Sequence, residues 1–194
     1  LHRRRHSFPT RRSSDLDGVT DADIVSGLYR WRTVQGNGSS TLSATLLFSG
    51  SSHGAVDRAA EILATKHGVN VDVWSATSYK TLREEALAVE RSNRLHPDRE
   101  SARPRVTRQL DGGDGPIVAV SDFMRAVPEQ IARFVPSRRF MPLGTDGMGR
   151  SDTREALRKH FEIDAEHIVV AVLAQGLERA TVGDAEDPGR QLAA

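Results

Sequence analysis

The stretch TLSATLLFSGSSHGAVDRAAEILATKHGVNVDVWSA, residues 41–76, predicts a strand, a helix and a second strand. Residues 41–49 are a short apolar run of the length typical of a buried strand, and residues 53–67 place their apolar side chains on one helical face. Gly68 follows where a helix C-cap belongs, and residues 69–76 alternate with a period of two. Because parallel neighbouring strands require such a crossover, this stretch favours a parallel sheet covered by helices.

The alternation of strands and helices continues towards the carboxyl end of the chain. The pattern predicts further helices at residues 79–94, 127–135, 151–161 and 165–180, and further strands at residues 116–121 and 140–144. Ser151 and Asp164 are the expected N-caps of the last two helices. We therefore predict an α/β fold, a three-layer α/β/α sandwich with a mostly parallel sheet of four or five strands.

Composition divides the chain into four expected segments. Residues 1–16 are rich in arginine and serine and resemble translated sequencing-adapter sequence, so we interpret them as a disordered artefact. A transit peptide and a phosphate-binding arm are the alternatives for this segment. Residues 17–40 are expected to be a linker, residues 41–180 the α/β domain, and residues 181–194 a polar, frayed tail.

Charge and composition exclude several classes of protein. The net charge is +1, from 27 Lys and Arg against 26 Asp and Glu, and it divides into +4 for residues 1–16 and −3 for the remainder. A mildly acidic domain is not typical of nucleic-acid binders. The longest apolar run, residues 168–174, is far shorter than the roughly 18–20 residues that span a bilayer. The chain has no cysteine, which excludes a disulfide scaffold, a thiolate metal site and a cysteine nucleophile.

A serine-hydrolase site is one candidate for chemistry. Residues 50–54 (GSSHG) fit the pattern G-x-S-x-G between a strand and a helix, the context of a nucleophile elbow with Ser52 as the nucleophile. The base would be His160 or His167, oriented by Asp122 or Asp146. The structural alternative is a Gly- and Ser-rich turn whose free N–H groups hold at most an anion. Residues 28–34 are the one stretch before residue 42 that could form a strand, so too few strands precede the motif for the usual hydrolase order, which favours the turn.

Two metal or cofactor motifs are incomplete. Gly113-Asp114-Gly115 resembles the opening of a thiamine diphosphate motif, but the last asparagine of the chain is Asn93, so the downstream asparagine that completes the metal site is missing. The zinc spacing H-x-x-x-H does not occur among His53, His67, His96, His160 and His167. We interpret residues 113–115 as a turn.

The most distinctive stretch, GTDGMGRSDTR at residues 144–154, follows the last predicted strand. Its three glycines allow positive φ and close backbone approach. Arg150 and Arg154 lie four residues apart beside a helix N-terminus, with acidic residues at 146, 152 and 155 near enough to pair with them. Such a loop is either a structural strand-to-helix connection or a site for a ligand or partner subunit. The residue pattern alone leaves both open.

This stretch and four others, in the same order, resemble the carboxy-terminal domain of homodimeric pyruvate dehydrogenase E1 components. Residues 144–152 are similar to the family's GTDGFGRSD, with Met148 in the Phe position. The other similar stretches are residues 68–78 (GV–DVWSVTSF in the family), 90–97 (ERWN-x-LHP), 121–124 (TDYM) and 128–136 (PDQIRPYVP). Ser92 and Phe123 depart from the family's Trp and Tyr, and residues 50–53 differ from its usual turn. The resemblance runs from about residue 27 to residue 176.

The resemblance implies a fold and a reaction. It implies that residues 41–180 form a transketolase C-terminal-like α/β module. The parent would be a bacterial, cytoplasmic oxidoreductase that uses thiamine diphosphate and Mg²⁺ to decarboxylate pyruvate and then acetylates the lipoyl group of E2. The metal ligands and the activating glutamate of the family belong to domains that this chain does not match. We therefore expect the chain to carry no catalytic residue, to bind no cofactor or metal by itself, and to be inactive alone.

The implied partners are the remaining E1 domains, a second E1 subunit in a homodimer and the E2 acyltransferase, with neither nucleic acid nor a membrane. The resemblance makes eight residues family-motif or interface positions: Gly144, Asp146, Gly147, Gly149, Arg150, Ser151, Asp152 and His96. We expect the product of a truncated E1 gene. An E1 for another 2-oxo acid and a serine hydrolase using Ser52 are the alternatives.

Overall fold

The computed structural model describes residues 18–38, 42–136 and 139–183, with residues 177–183 described by their backbone alone. The strands of this part are β1 (Leu28–Val34), β2 (Ser43–Phe48), β3 (Asn70–Ala76), β4 (Ile117–Val120) and β5 (Phe140–Leu143). Its helices are α1 (Asp21–Val25), α2 (His53–His67), α3 (Tyr79–Leu95), α4 (Arg105–Gln109), α5 (Ala126–Glu129), α6 (Arg154–His160) and α7 (Ala165–Gly183), with 3-10 turns at Gly50–Ser52 and Ala132–Phe134. The expectations for residues 1–16 and 184–194 lie outside the described residues.

The strands form one sheet in the order β1-β3-β2-β4-β5. β2 pairs in parallel with both β3 and β4, so that Leu47 lies between Trp74 and Ala119. β4 also pairs in parallel with β5, whereas β1 is antiparallel to β3. This mostly parallel sheet confirms the predicted α/β architecture.

Helices cover both faces of the sheet. Because successive strand residues point to opposite faces, Leu46 and Phe48 contribute to one core and Leu47 to the other. α2 and α7 close the first core with side chains that include Val56, Leu63, Ile168 and Val172. α3 and α4 close the second with side chains that include Tyr79, Leu82 and Val106. The three predicted layers are therefore present.

The expectation of a linker at residues 17–40 is wrong for the described part of that segment. Leu28–Val34 forms an edge strand of the sheet, and Leu28 is fully buried. Arg32 joins this strand to α2 through an ion pair with Asp57 (Nε–Oδ1, 2.9 Å). An edge strand has an exposed side, so it does not need the apolar run typical of a buried strand. The sequence of β1 accordingly contains two arginines.

Two helix ends agree with the sequence pattern. Gly68 ends α2 with a φ of 67°, the left-handed conformation that glycine adopts at a C-cap. Asp164 caps α7, since its Oδ1 accepts from the backbone N–H of His167 at 2.9 Å. Both residues thus pair backbone groups that a helix end otherwise leaves unpaired.

Two other predicted helices differ from the structure. α6 begins at Arg154 rather than beside Ser151, because the hydroxyl of Thr153 accepts from Ala156 N at 3.3 Å and so caps the helix. The helix predicted at 127–135 is divided into α5 and a 3-10 turn. The backbone N–H of Ile131 donates to Pro128 O at 3.3 Å, a three-residue bond that tightens the chain out of α-helical geometry.

Candidate functional site

The carboxyl ends of β2, β4 and β5 meet at one edge of the sheet. β3 and β4 lie on opposite sides of β2, so the strand order reverses between β2 and β4. Ligands of open parallel sheets bind outside the carboxyl ends of the strands at such a reversal. The loops at residues 49–52, 121–125 and 144–153, which follow these strands, are therefore the candidate site.

Asp122 holds the turn at the reversal point. Its Oδ2 accepts from the backbone N–H of Ser51 at 3.3 Å. Gly50 has a φ of 57°, and a Cβ there would lie 2.7 Å from Asp122 Oδ1, so this position favours glycine. Arg158 of α6 donates to the Ser51 carbonyl oxygen at 2.6 Å. The contacts of the turn are therefore made within the domain itself.

Ser52 is a structural residue of this turn. It is 2% exposed, and its Oγ lies 2.8 Å from the carbonyl oxygen of Ser49 and 3.0 Å from that of Val120. A hydroxyl buried against two carbonyl oxygens ties the turn to β4. These contacts favour the structural alternative for residues 50–54 over the hydrolase alternative.

The histidines considered as bases for Ser52 have other neighbours. His167 Nδ1 lies 2.6 Å from Asp164 Oδ1, within the cap of α7. His160 Nδ1 lies 3.5 Å from Arg150 Nη1. A nucleophile and its base need to lie within about 2.6–3.2 Å of each other. Ser52 Oγ has this distance to backbone oxygens instead.

Asp146 joins the loop after β5 to the loop after β4. Its Oδ1 accepts from Arg125 N at 3.0 Å, and its Oδ2 forms an ion pair with Arg125 Nε. The hydrogen bonds from the Arg125 side chain and backbone hold the pKa of Asp146 below its usual value, and Asp146 raises the pKa of Arg125. An acid with a lowered pKa is ionised at neutral pH, so it is a poor proton donor to a substrate.

Gly144 allows the same two loops to approach each other closely. A Cβ at this position would lie 2.4 Å from the carbonyl oxygen of Phe123. Thr145 N donates to that oxygen at 2.8 Å, and Thr145 Oγ1 donates to the carbonyl oxygen of Asp122 at 2.9 Å. Gly144 and Asp146 therefore both hold the loops after β4 and β5 together.

Gly147, Gly149 and Ser151 are exposed at the outer end of the loop. Gly147 has a φ of 95°, which favours glycine. A Cβ built at Gly147 or Gly149 meets no atom within 4 Å. Packing within the domain therefore does not explain Gly149.

Asp146, which is near enough in sequence to pair with Arg150 or Arg154, forms its ion pair with Arg125. Asp152 Oδ1 accepts from Thr153 N at 2.7 Å and so orders the entry to α6. Arg150 is exposed and extends towards His160. The distinctive stretch is thus divided into an inner part that contacts the domain and an outer part that faces outward.

His96 and Asp114 lie in other parts of the chain. His96 follows the end of α3, where its backbone N donates to Ser92 O at 3.0 Å. Asp114 precedes β4 and accepts from Ser43 Oγ at 2.9 Å. Within the described ranges, no group of three or more His, Asp or Glu side chains is placed to hold a metal ion. No described helix is long and apolar enough to cross a membrane.

Sequence patterns did not reveal that three large apolar side chains are exposed at this edge. Phe123, Met124 and Met148 follow β4 and β5, and none of them belongs to a periodic apolar pattern. The Arg125–Asp146 pair was also missed, since its members are 21 residues apart. The available indication was that residues 121–124 and 144–152 both resemble the same family.

Comparison with known proteins bears out that resemblance. The family model for the transketolase-like TK C-terminal domain matches residues 27–164. The chain is 45% identical over 172 residues to the pyruvate dehydrogenase E1 component of Mycobacterium tuberculosis, and 42% identical over 159 residues to that of Escherichia coli. These matches cover 88% and 82% of this chain but only 18% and 17% of the relatives' length.

Solved structures have the same fold. The transketolase of Leishmania mexicana gives a TM-score of 0.53 at 19% identity, over 84% of this chain and 20% of that one. A transketolase of Pichia stipitis gives 0.51 at 16% identity, over 86% of this chain and 20% of that one. Identities this low show the fold alone. Together with the curated relatives, the family match shows that the chain belongs to the transketolase-like TK C-terminal domain family and corresponds to the carboxy-terminal part of pyruvate dehydrogenase E1 components.

Proposed function

We propose that this chain is the supporting carboxy-terminal module of a thiamine diphosphate-dependent pyruvate dehydrogenase E1, whose chemistry takes place on domains outside the chain. One observation carries the proposal: Asp146, the acid of the family motif, is ion-paired with Arg125 of the neighbouring loop. An acid paired in this way stabilises the module and does not donate protons to a substrate. Residues 144–152 then serve as an architectural and interface segment.

The proposed parent enzyme decarboxylates pyruvate and acetylates the lipoyl group of an E2 acyltransferase in the bacterial cytoplasm. Thiamine diphosphate, when bound by the other domains with Mg²⁺, supplies the carbanion stabilisation that this reaction needs. The role proposed for this chain is to support those domains and the E1 homodimer. The similarity to E1 components over 88% of the chain supports this role.

A chimera tests the proposal. Residues 27–176 of this chain, the range of the resemblance, replace the corresponding segment of the E. coli E1 component, and pyruvate decarboxylation is compared with that of the unmodified enzyme. If the segment is a supporting module, the chimera's rate of pyruvate decarboxylation should fall by less than roughly 100-fold, which is the loss that a 1 Å misplacement of positioned groups can cause. A chimera that folds and dimerises but does not decarboxylate pyruvate would count against the proposal.

Ser52→Ala in the same chimera separates the supporting role from a catalytic one. Because Ser52 is buried in a turn, we expect this change to lower thermal stability and to leave the KM for pyruvate unchanged. Ser51→Ala is the matched control, since Ser51 is exposed in the same turn. A large fall in kcat at unchanged stability would instead indicate a direct role in the reaction.

A further inference from the structure

Three large apolar side chains lie exposed at the carboxyl edge of the sheet. Phe123 is 51% exposed, Met124 56% and Met148 91%. The two loops that carry them are joined by the hydrogen bond from Thr145 N to Phe123 O. We call these three side chains, together with the exposed Arg150 that follows Met148, the edge platform.

The backbone beneath Phe123 and Met124 is fixed by contacts within the domain. Asp146 pairs with both the backbone N–H and the guanidinium of Arg125, the residue after Met124. Gly144 leaves no room for a Cβ against the carbonyl oxygen of Phe123. A loop held in this way presents Phe123 and Met124 before a partner arrives, which lowers the entropy cost of binding.

The composition of the edge platform is that of an interface centre. Aromatic residues, Met and Arg are enriched in the centres of protein interfaces relative to the rest of the surface. The unbranched Met side chain also adapts its shape to a partner. An exposed group of Phe and two Met is therefore better explained as a binding surface than as ordinary solvent-facing surface.

The charges beside the edge platform indicate the chemistry of its partner. Arg150 is exposed, and its neighbour His160 Nδ1 lies 3.5 Å from its Nη1. α6 carries Arg158, Lys159 and His160 in its last turn. The last turn of α6 is therefore basic, whereas its first turn carries the acidic Glu155. An apolar surface that bears Asp or Glu side chains is the complement of the basic last turn and Arg150.

A second copy of this chain is a poor occupant. A two-fold symmetric contact sets the same surface of both copies against itself. It would bring together Arg150 and the basic end of α6 from each copy, and like charges across an interface are unfavourable. The occupant is therefore expected to have a different surface from the platform itself.

The curated relatives indicate where that surface lies. This chain spans 18% of the length of the M. tuberculosis E1 component, so the module occurs within a much longer polypeptide. Other parts of such a polypeptide are held beside the module at high effective concentration. Resting on the proposed function, we propose that the edge platform docks onto an apolar, carboxylate-bearing surface of the E1 polypeptide outside this chain.

Thiol labelling tests the proposal, because the chain contains no cysteine of its own. Met148→Cys places a thiol on the platform, and Val170→Cys is the matched control at another exposed apolar residue, on α7. Each variant is made in the free chain and in the chimera with the E. coli E1 component. Maleimide labelling at the engineered position is followed by mass spectrometry of the peptides.

We expect labelling at position 148 to be about tenfold or more slower in the chimera than in the free chain, and labelling at position 170 to be the same in both. Equal rates at position 148 in an active chimera overturn the docking inference alone. A chimera that folds but is inactive overturns the proposed function, and the inference with it. Protection in the free chain that rises with its concentration, with a dimer in sedimentation, would assign the platform to a second copy instead.

Discussion

Asp146 accepts two hydrogen bonds from Arg125, one from its backbone N–H at 3.0 Å and one from its guanidinium. The two residues are 21 positions apart, in the loops that follow β4 and β5. The pair thus connects adjacent strand ends at the edge where parallel α/β sheets bind their ligands. The acid of the family motif is used here to hold two loops in place.

Asp146→Asn should lower the melting temperature by a few degrees at most at neutral pH, because the exposed ion pair is lost while the amide oxygen can still accept from Arg125 N. The Arg125 hydrogen bonds lower the pKa of folded Asp146. The stabilisation is therefore present above the unfolded pKa of about 3.9 and is lost as the pH falls through the lower folded pKa. Melting curves of the two proteins should converge in acid. A difference that is independent of pH would show that the ionised carboxylate is not the stabilising form.

Gly50→Ala should destabilise the domain by about 1–3 kcal/mol, because it forces a left-handed residue and a Cβ into contact with Asp122. Gly54→Ala is the matched control, since a Cβ in the first turn of α2 meets no atom within 4 Å. We expect the control to be neutral or stabilising by up to about 1 kcal/mol. Urea denaturation measures both. Equal effects of the two substitutions on the free energy of unfolding would show that the turn held by Asp122 does not contribute specifically to stability.

Ser52→Ala in the free chain should cost about 1–3 kcal/mol, because it removes the donor to buried carbonyl oxygens of Ser49 and Val120. Ser51→Ala should have little effect, as the Ser51 contacts described here involve its backbone. Denaturant unfolding gives the free energies. If the unmodified chain hydrolyses a p-nitrophenyl ester and Ser52→Ala abolishes that activity, Ser52 is a nucleophile and its structural interpretation is wrong.

Leu28→Ala should destabilise the domain by about 2–5 kcal/mol, because Leu28 is fully buried in β1. Val25→Ala, three residues earlier and 77% exposed, should change the free energy of unfolding by no more than about 0.5 kcal/mol. Calorimetric or denaturant unfolding distinguishes the two. A Leu28→Ala variant as stable as the unmodified chain would mean that β1 is the linker that the sequence predicted.

Local patterns were sufficient where near neighbours in the sequence determine the structure. α2 has the predicted bounds, because its apolar spacing and the Gly68 cap lie in one continuous segment. Residues 28–34 were recognised only as a candidate strand within the expected linker, because an edge strand needs few apolar residues. Ser151 was predicted as the cap of α6, but Thr153, also a good capping residue, lies closer to the helix start and makes the hydrogen bond.

The contacts of the candidate site depend on distant parts of the chain. Asp122 accepts a hydrogen bond from Ser51, which is 71 positions away in the sequence. Arg158 donates a hydrogen bond to Ser51 and is 107 positions away from it. Single-sequence periodicity contains no information about such pairs. The similarity to a known family located the two loops involved, at residues 121–124 and 144–152, but the partner of Asp146 required the three-dimensional arrangement.

The claim that the chemistry lies outside this chain is tested most directly by turnover of the purified protein alone. The chain is incubated with thiamine diphosphate, Mg²⁺ and pyruvate, and the release of CO₂ is measured against a blank without protein. We expect release equal to the blank from chain that is folded by circular dichroism. Sustained release above the blank, proportional to the chain concentration, would contradict the claim.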